Sequence, residues 1–509
     1  MKGTKSKFII GSLFFLLAVS IIIVAEWVIE NFGIISIEQY LFHLMVPLKG
    51  SNNSVFHDAI VACVPIILII VMIISVIGVF SMKYPKRVLV NIMVGSKKIK
   101  IKLLSFNWLK KNYLIVSIIT LVIVCIYYSN QLGVSAYIYN KSQSTTLYED
   151  YFVDPKNVQL AFPEEKKNVI FIQLESMEST YTSYEYGGAF EVDLIPELRE
   201  LALNVENTHF SNTELLGGMK SAHNTEWTIA GMVSQTAGLP LQNSAILDGN
   251  NYGDKEYFLP NAISLGDLLE AEGYSNYLMV GSDSDFAGRR NYFEQHGNYQ
   301  IYDYYTALEE SVIPEDYYVW WGYEDKVLFE YAKEKILDAA ENGPFNFHLL
   351  TVDTHFSDGY LDENAPIIYD QQFFNVLSYS SSMIYEFVSW IQEQEFYENT
   401  VIVLTSDHLT MDAAFISQID DNYERTIYNV IINSEVMTVN TTNRIFTSFD
   451  MFPTILASIG VQIEGERLGF GTNLYSSKET IPEEIGMEEF NSELAKYSSF
   501  YNKHFLLGI

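Results

Sequence analysis

Cysteine is nearly absent from this chain. Only Cys63 and Cys125 occur in 509 residues, and both fall within long apolar stretches. The rest of the chain therefore has no disulfide framework, no thiolate zinc site and no cysteine nucleophile. Charge of one sign is missing from a second region. Residues 81–112 hold no acidic side chain, against Lys83, Lys86, Arg87, Lys97, Lys98, Lys100, Lys102, Lys110 and Lys111. Further on the imbalance reverses. Residues 1–139 contain 13 Lys and Arg and 4 Asp and Glu, out of 31 and 63 in the whole chain. An acidic balance of that kind disfavours nucleic acid and anionic polymer surfaces as non-specific partners. No internal repeat or long low-complexity tract is visible, and 49% hydrophobic residues rule out a mainly disordered chain.

What is present begins with three stretches apolar enough to cross a bilayer, which takes about 20 residues. They run over 8–28, 59–80 and 113–132. The first is too long for the apolar part of a signal peptide and lacks a small-residue cleavage site, so it reads as an anchor. Residues 33–49 carry Glu38, His43 and Pro47 and read as a re-entrant or interfacial segment rather than a fourth span. Lysines on the 81–112 loop place that loop and the N-terminus in the cytoplasm, and everything after the third span outside. The expected organisation is a membrane domain over 1–139, a polar linker over 140–163 and an extracytoplasmic catalytic domain over 164–509.

From residue 168 the pattern alternates between strand and helix. Apolar runs at 168–174, 276–280, 345–352, 400–405 and 428–432 read as strands, several of them buried on both faces. Amphipathic stretches at 263–272, 378–395 and 448–460 read as helices. That alternation predicts an α/β domain with a central, mostly parallel sheet covered by helices on both faces.

Parallel strands deliver their C-terminal ends to one edge, where open α/β sheets bind ligands. Three such ends carry Glu175, His355 and the pair Asp407-His408. Carboxylate oxygen and imidazole nitrogen together suit a hard or borderline divalent cation. Between the first two ends, Ser221-Ala222-His223-Asn224-Thr225-Glu226-Trp227-Thr228-Ile229-Ala230-Gly231-Met232 turns from polar to apolar, like a helix entered at a hydroxyl residue. A hydroxyl there gains from the positive end of the helix dipole. Being a weak nucleophile, it needs a metal or a base to activate it.

Five pieces, in order, resemble one family: Gln173-Leu174-Glu175-Ser176, Thr225 to Met232, Phe286-Ala287-Gly288-Arg289, Val352-Asp353-Thr354-His355 and Ser406-Asp407-His408. The segment from Asp450 to Leu456 matches as well. The chain is similar to the sulfatase-like phosphoglycerol transferases of the alkaline-phosphatase superfamily, which include lipoteichoic acid synthases and the enzymes that decorate periplasmic glucans. The resemblance implies a threonine nucleophile, for which Thr225 followed by Thr228 fits the pattern, with Ser221 as the rival. It implies one divalent metal, manganese by preference over magnesium or zinc, held by Glu175, Thr225, Asp407 and His408. It makes His355 a catalytic and phosphate-binding group, and it places Asp283, Ser284 and Arg289 at the glycerol-phosphate. Ala287 and Gly288 stand where some lipoteichoic acid synthases have an aromatic residue.

The implied reaction moves glycerol-phosphate from phosphatidylglycerol to a hydroxyl of a cell-surface glycan or glycolipid. Phosphoethanolamine transfer and phosphodiester hydrolysis are the rivals on the same fold. A non-catalytic glycan-binding scaffold is the rival of another class. The Cys or Ser before Pro and Arg that a true sulfatase converts to formylglycine is absent. His223, His296 and the Tyr-rich stretches at 302–305 and 317–321 read as structural.

Overall fold

The apolar stretches expected to cross a bilayer form long helices in the computed structural model: Lys2–Phe32, Ser54–Lys83 and Phe106–Gln131. All three are long and apolar enough to do so. The structure describes the whole chain except residues 1, 34, 46–53, 84–88, 95–96, 103–105, 243–256 and 439. Pro47, Lys86 and Arg87, used above to argue topology, lie outside the described residues. The chain folds as two compact units, one of Met1–Ile35 with Asn53–Ala136 and a second of Ser36–Asn52 with Tyr137–Ile509.

Within the first unit, Lys2–Phe32 packs on Phe106–Gln131 through small residues. Ala18 and Ala25 are buried against Val124 and Tyr128. A Cβ on Gly11 would lie 2.9 Å from the Tyr113 ring. Small side chains let helix backbones approach closely, which is how helices associate where water supplies no drive. Leu89–Val94 and Lys97–Lys102 form an antiparallel hairpin between the second and third helices.

The second unit begins with helix α1 (Ile37–Met45) and continues as an α/β domain. Residues 140–163, expected as a linker, carry a short helix at Leu147–Tyr151 with Leu147 and Tyr148 buried. Strand Leu160–Ala161 pairs there with Gln462–Ile463. Apolar side chains tie this stretch to the domain.

The six-stranded sheet uses β1 (Asn168–Leu174), β2 (Ser275–Val280), β3 (Gln300–Tyr302), β4 (Phe345–Leu350), β5 (Thr400–Ser406) and β6 (Asn429–Ile432). Their spatial order is β3-β2-β4-β1-β5-β6, all parallel except the β5–β6 pair. Every residue of β1, β4 and β5 is buried. Alternate residues of β1 face opposite cores, because the side-chain period of a strand is two. Ile170, Ile172 and Leu174 join one core, with helices α5 (Asp325–Ala340) and α6 (Gln372–Gln392). Val169 and Phe171 join the other, with α3 (Leu265–Ala271) and α7 (Met451–Ser458). Helices α2 (Thr228–Ala237) and α4 (Arg289–Gln295) complete the elements that shape the site. Leu174 pairs with Ser406 and Gln173 with Leu350, so three central strands end level with one another.

Candidate metal centre and reaction site

The level strand ends bring Glu175, Asp407 and His408 together. All three are buried, and one donor atom from each lies within 4.8 Å of the others. His408 Nε2 is 3.4 Å from Asp407 Oδ2 and 3.6 Å from Glu175 Oε1. Local hydrogen bonds orient each group. The Nδ1 of His408 is 2.8 Å from the Leu409 carbonyl, which acts as an acceptor. The ring proton therefore sits on Nδ1, and Nε2 turns its lone pair to the centre. Asp407 Oδ1 accepts from the backbone N–H of Ser176 and of His408, each at 2.9 Å. Its Oδ2 is buried without a hydrogen-bond partner. At Glu175, the backbone N–H donates to Thr351 Oγ1 at 2.9 Å and the carbonyl accepts from the Thr354 hydroxyl. Ser176, in the left-handed region at φ 52°, donates its hydroxyl to Glu175 Oε1 at 2.7 Å.

The electrostatics mark the same place as a cation site. Burial and the charge of Glu175 push the Asp407 carboxyl up to about 7, with His408 and two backbone N–H groups pulling it back. Burial also opposes a charged His408, but Asp407 and Glu175 outweigh it and raise the imidazole. Two buried carboxylates and one outward lone pair are costly without a cation and well matched to one. The orphaned Oδ2 of Asp407 and the inward-turned Nε2 of His408 are the atoms that fit it.

One threonine hydroxyl meets this centre and a second lies three residues earlier in the chain. Thr228 opens α2 and holds its hydroxyl 3.3 Å from His408 Nε2 and 3.4 Å from Glu175 Oε2. Thr225 is 1% exposed and donates its hydroxyl to the Ala222 carbonyl at 2.8 Å. The hydroxyl in direct reach of the metal-site residues is thus Thr228, where the sequence pointed to Thr225. The reason is local: the turn before the helix directs Thr225 back along its own backbone. Helix α2 approaches the centre through Gly231, where a Cβ would fall 2.3 Å from the Asp407 carbonyl oxygen.

His355 follows β4 on a loop held by Asp325, which accepts from the N–H of Val352 at 2.7 Å and of Asp353 at 3.1 Å. Its Nδ1 meets the Phe356 carbonyl at 2.7 Å. Burial lowers this imidazole to about 4, and the positive charges of His408 and Arg289 act in the same direction. His355 is therefore neutral near pH 7, with an acceptor lone pair at Nε2. Arg289 is buried, and its Nη2 donates to Ser282 Oγ at 2.9 Å and to the Asp283 carbonyl at 2.8 Å. Burial brings its guanidinium down to about 10, against the pull of Asp283, Glu175, Asp303 and Asp407. Among the described residues no carboxylate lies within ion-pair distance of it, which leaves its charge for an anion.

Asp283 Oδ1 accepts from the Asp285 N–H at 2.9 Å, while its Oδ2 is buried without a partner. Ser284 is fully buried and donates its hydroxyl to Asp303. Arg290 pairs with Asp285, Glu294 and Asp303. His296 meets the Phe258 carbonyl at 2.6 Å, a structural role. Asp450 caps its helix from Thr447 and accepts from the Thr472 N–H at 2.8 Å, so that matching segment is scaffold.

Two features escaped sequence reasoning. The Trp321 ring lies 4.7 Å from His355, and its indole N–H is buried without a partner. Helix α1 reaches the turn that carries Thr225. Nothing in the local pattern of either segment announces its distant partner.

Residues 167–461, more than half of the chain, match the family model described as Sulfatase. Phosphoglycerol transferase I from Escherichia coli O139:H28 is 36% identical over 282 residues, which is 53% of this chain and 35% of that protein. The same figures hold for phosphoglycerol transferase I from Shigella boydii serotype 18. The match thus spans about a third of the length of those curated relatives. Among solved structures, the integral membrane lipooligosaccharide phosphoethanolamine transferase A from Neisseria meningitidis covers 96% of this chain and 87% of its own. Its identity is 13% and its TM-score 0.51, a likeness of fold. By the family match the chain belongs to the sulfatase family, and it is a homologue of phosphoglycerol transferase I with a buried candidate metal site at Glu175, Asp407 and His408.

Proposed function

We propose that this protein is a membrane-anchored, metal-dependent phosphoglycerol transferase. The observation that carries this reading is the convergence of a buried two-carboxylate, one-imidazole centre with the Thr228 hydroxyl at a helix N-terminus, three residues after Thr225. Arg289 and His355 are electrostatically coupled to the same centre. Glu175, Asp407 and His408 would hold one divalent ion, manganese by our assignment. That ion supplies a lowered hydroxyl pKa and positive charge for the phosphate.

The reaction proceeds in two displacements. Thr225 Oγ forms a bond to the phosphorus of phosphatidylglycerol as the bond to the diacylglycerol oxygen breaks. Diacylglycerol leaves with a proton, and a phosphoglycerol-threonine ester remains. An acceptor hydroxyl on a cell-surface glycan or glycolipid then attacks the phosphorus and gives its proton to His355 Nε2 as the Thr225 Oγ–P bond breaks, and that proton returns to Thr225 to restore the hydroxyl. Arg289 holds the phosphate by its uncompensated charge, and the N-terminus of α2 favours the same anion. Thr225 is assigned as nucleophile from its place three residues before Thr228 and from its burial. The distances of Thr228 to His408 and Glu175 favour a second reading, in which Thr228 attacks.

The three apolar helices fit a multi-pass membrane protein that keeps the site beside its lipid donor and raises the effective concentration of that lipid. The lysines of 81–112 support an orientation with the N-terminus in the cytoplasm and the α/β domain outside. The test offers the full-length protein with manganese to vesicles whose lipid is labelled in the head group. Release of diacylglycerol from phosphatidylglycerol, and none from phosphatidylethanolamine, supports the assignment. The reverse preference makes the protein a phosphoethanolamine transferase, and release from neither makes it a non-catalytic binder.

A further inference from the structure

Helix α1 belongs to the α/β unit. It meets the turn before α2 through several contacts to residues 223–227, and it is held elsewhere by Lys141 and by Met411, whose Sδ accepts from Gln39 Nε2 at 2.5 Å. Glu38 Oε1 is 3.1 Å from His223 Nε2 and is also approached by Lys141 Nζ at 3.5 Å. Ser36 donates its hydroxyl to Glu226 Oε2 at 3.3 Å, and the same oxygen accepts from the Asn224 N–H at 3.0 Å. Gln39 Nε2 donates to the Glu226 carbonyl at 3.3 Å. Phe42, 1% exposed, packs on Trp227 with ring centroids 5.2 Å apart.

The turn itself needs such support. Asn224 sits in the left-handed region at φ 65°, and both polar atoms of its side chain are buried without partners. Regular structure begins only at Thr228. Small displacements at a reacting group cost large factors in rate. We propose that α1 is a working part of the reaction site: Glu38, Gln39 and Phe42 are positioning residues that hold the His223–Trp227 turn and, through it, the Thr225 hydroxyl. The choice of Thr225 as the positioned group rests on the functional reading above; the clamp itself does not.

The consequence is specific. A fragment that starts beyond α1 keeps Glu175, Asp407 and His408 but loses the anchors of the nucleophile turn. Metal binding and turnover then separate, which a purely architectural helix would not cause.

The test uses the full-length protein in lipid nanodiscs containing phosphatidylglycerol, with Phe42→Ala, Glu38→Ala and Phe42→Leu. Amide exchange of residues 223–228 is expected to accelerate about tenfold or more in the two alanine variants, while 168–174 and 400–406 stay protected. Turnover is expected to fall roughly tenfold to a hundredfold in kcat with KM for the lipid and metal content unchanged, and Phe42→Leu to recover most of it. Unchanged exchange at 223–228 in both alanine variants overturns the clamp. So does wild-type kcat alongside accelerated exchange, because the turn would then move without consequence. If the wild type transfers nothing while exchange responds as expected, the clamp stands and the functional reading fails.

Discussion

The Thr228 hydroxyl lies 3.3 Å from His408 Nε2, so the first residue of α2 touches the ring atom turned towards the candidate metal site. The same hydroxyl is 3.4 Å from Glu175 Oε2. Thr228 thus joins the helix that carries the reacting turn to the carboxylates at the strand ends. Thr228→Ala is expected to slow transfer by about a hundredfold, the scale of losing one polar contact at a reacting centre. Thr228→Ser, which keeps the hydroxyl, is expected to stay within a few-fold of wild type. Steady-state transfer rates of the two variants check this.

Removing a donor at the centre has a different signature. Asp407 Oδ2 has no partner other than the space between the three side chains. Asp407→Asn is expected to weaken metal binding by more than the roughly 10–100-fold seen for outer-shell changes. Metal content after dialysis, read by mass spectrometry of the ion, measures this without reference to activity. Chelation of the wild type is expected to abolish transfer, and manganese to restore it.

Gly231 tests the close approach of α2. Its missing Cβ would stand 2.3 Å from the Asp407 carbonyl oxygen, a backbone atom that cannot rotate away. Gly231→Ala is expected to lower stability by about 1–3 kcal/mol, the usual cost of overpacking. Metal affinity is expected to fall with it, because Asp407 moves. Thermal unfolding with and without manganese separates the two effects.

His348 governs part of the acid response. Its ring stacks on Phe171 at 4.3 Å, meets Phe293 edge-on at 5.2 Å, and bonds Gln173 Oε1 at 2.7 Å. Burial lowers this imidazole to about 3 from 6.5. Below pH 6.5 the unfolded chain takes up a proton that the folded His348 refuses, so stability is full above that pH. It falls as pH drops towards 3, by at most about 1.4 kcal/mol per pH unit for this one group. Denaturant unfolding of wild type and His348→Leu between pH 7 and 5 is expected to show a slope shallower by up to one proton in the variant.

Much of this was legible because the informative strands are buried on both faces. Val169–Ile172 of β1 and Val401–Leu404 of β5 are continuous apolar runs, and a parallel sheet had to bring Glu175, Asp407 and His408 to one edge. The three-residue β3 is too short for any periodicity to register. Spacing also could not tell which hydroxyl faces the centre, because that depends on how the 222–227 turn folds back on Ala222. The hydrogen bond of Ser284 to Asp303, nineteen residues away, is likewise a tertiary contact that spacing does not show. The docking of Phe42 on Trp227 is a tertiary contact that neither segment encodes alone.

The central claim is a covalent phosphoglycerol-threonine intermediate. The most direct measurement is peptide mass spectrometry of the full-length protein, quenched in acid after brief exposure to phosphatidylglycerol and manganese without acceptor. A phosphoglycerol mass is expected on the peptide spanning Thr225 in the wild type and none in Thr225→Ala. Loss of the adduct in Thr228→Ala, with Thr225→Ala still labelled, would move the nucleophile by one turn. Diacylglycerol released with no adduct on either threonine would contradict the covalent mechanism.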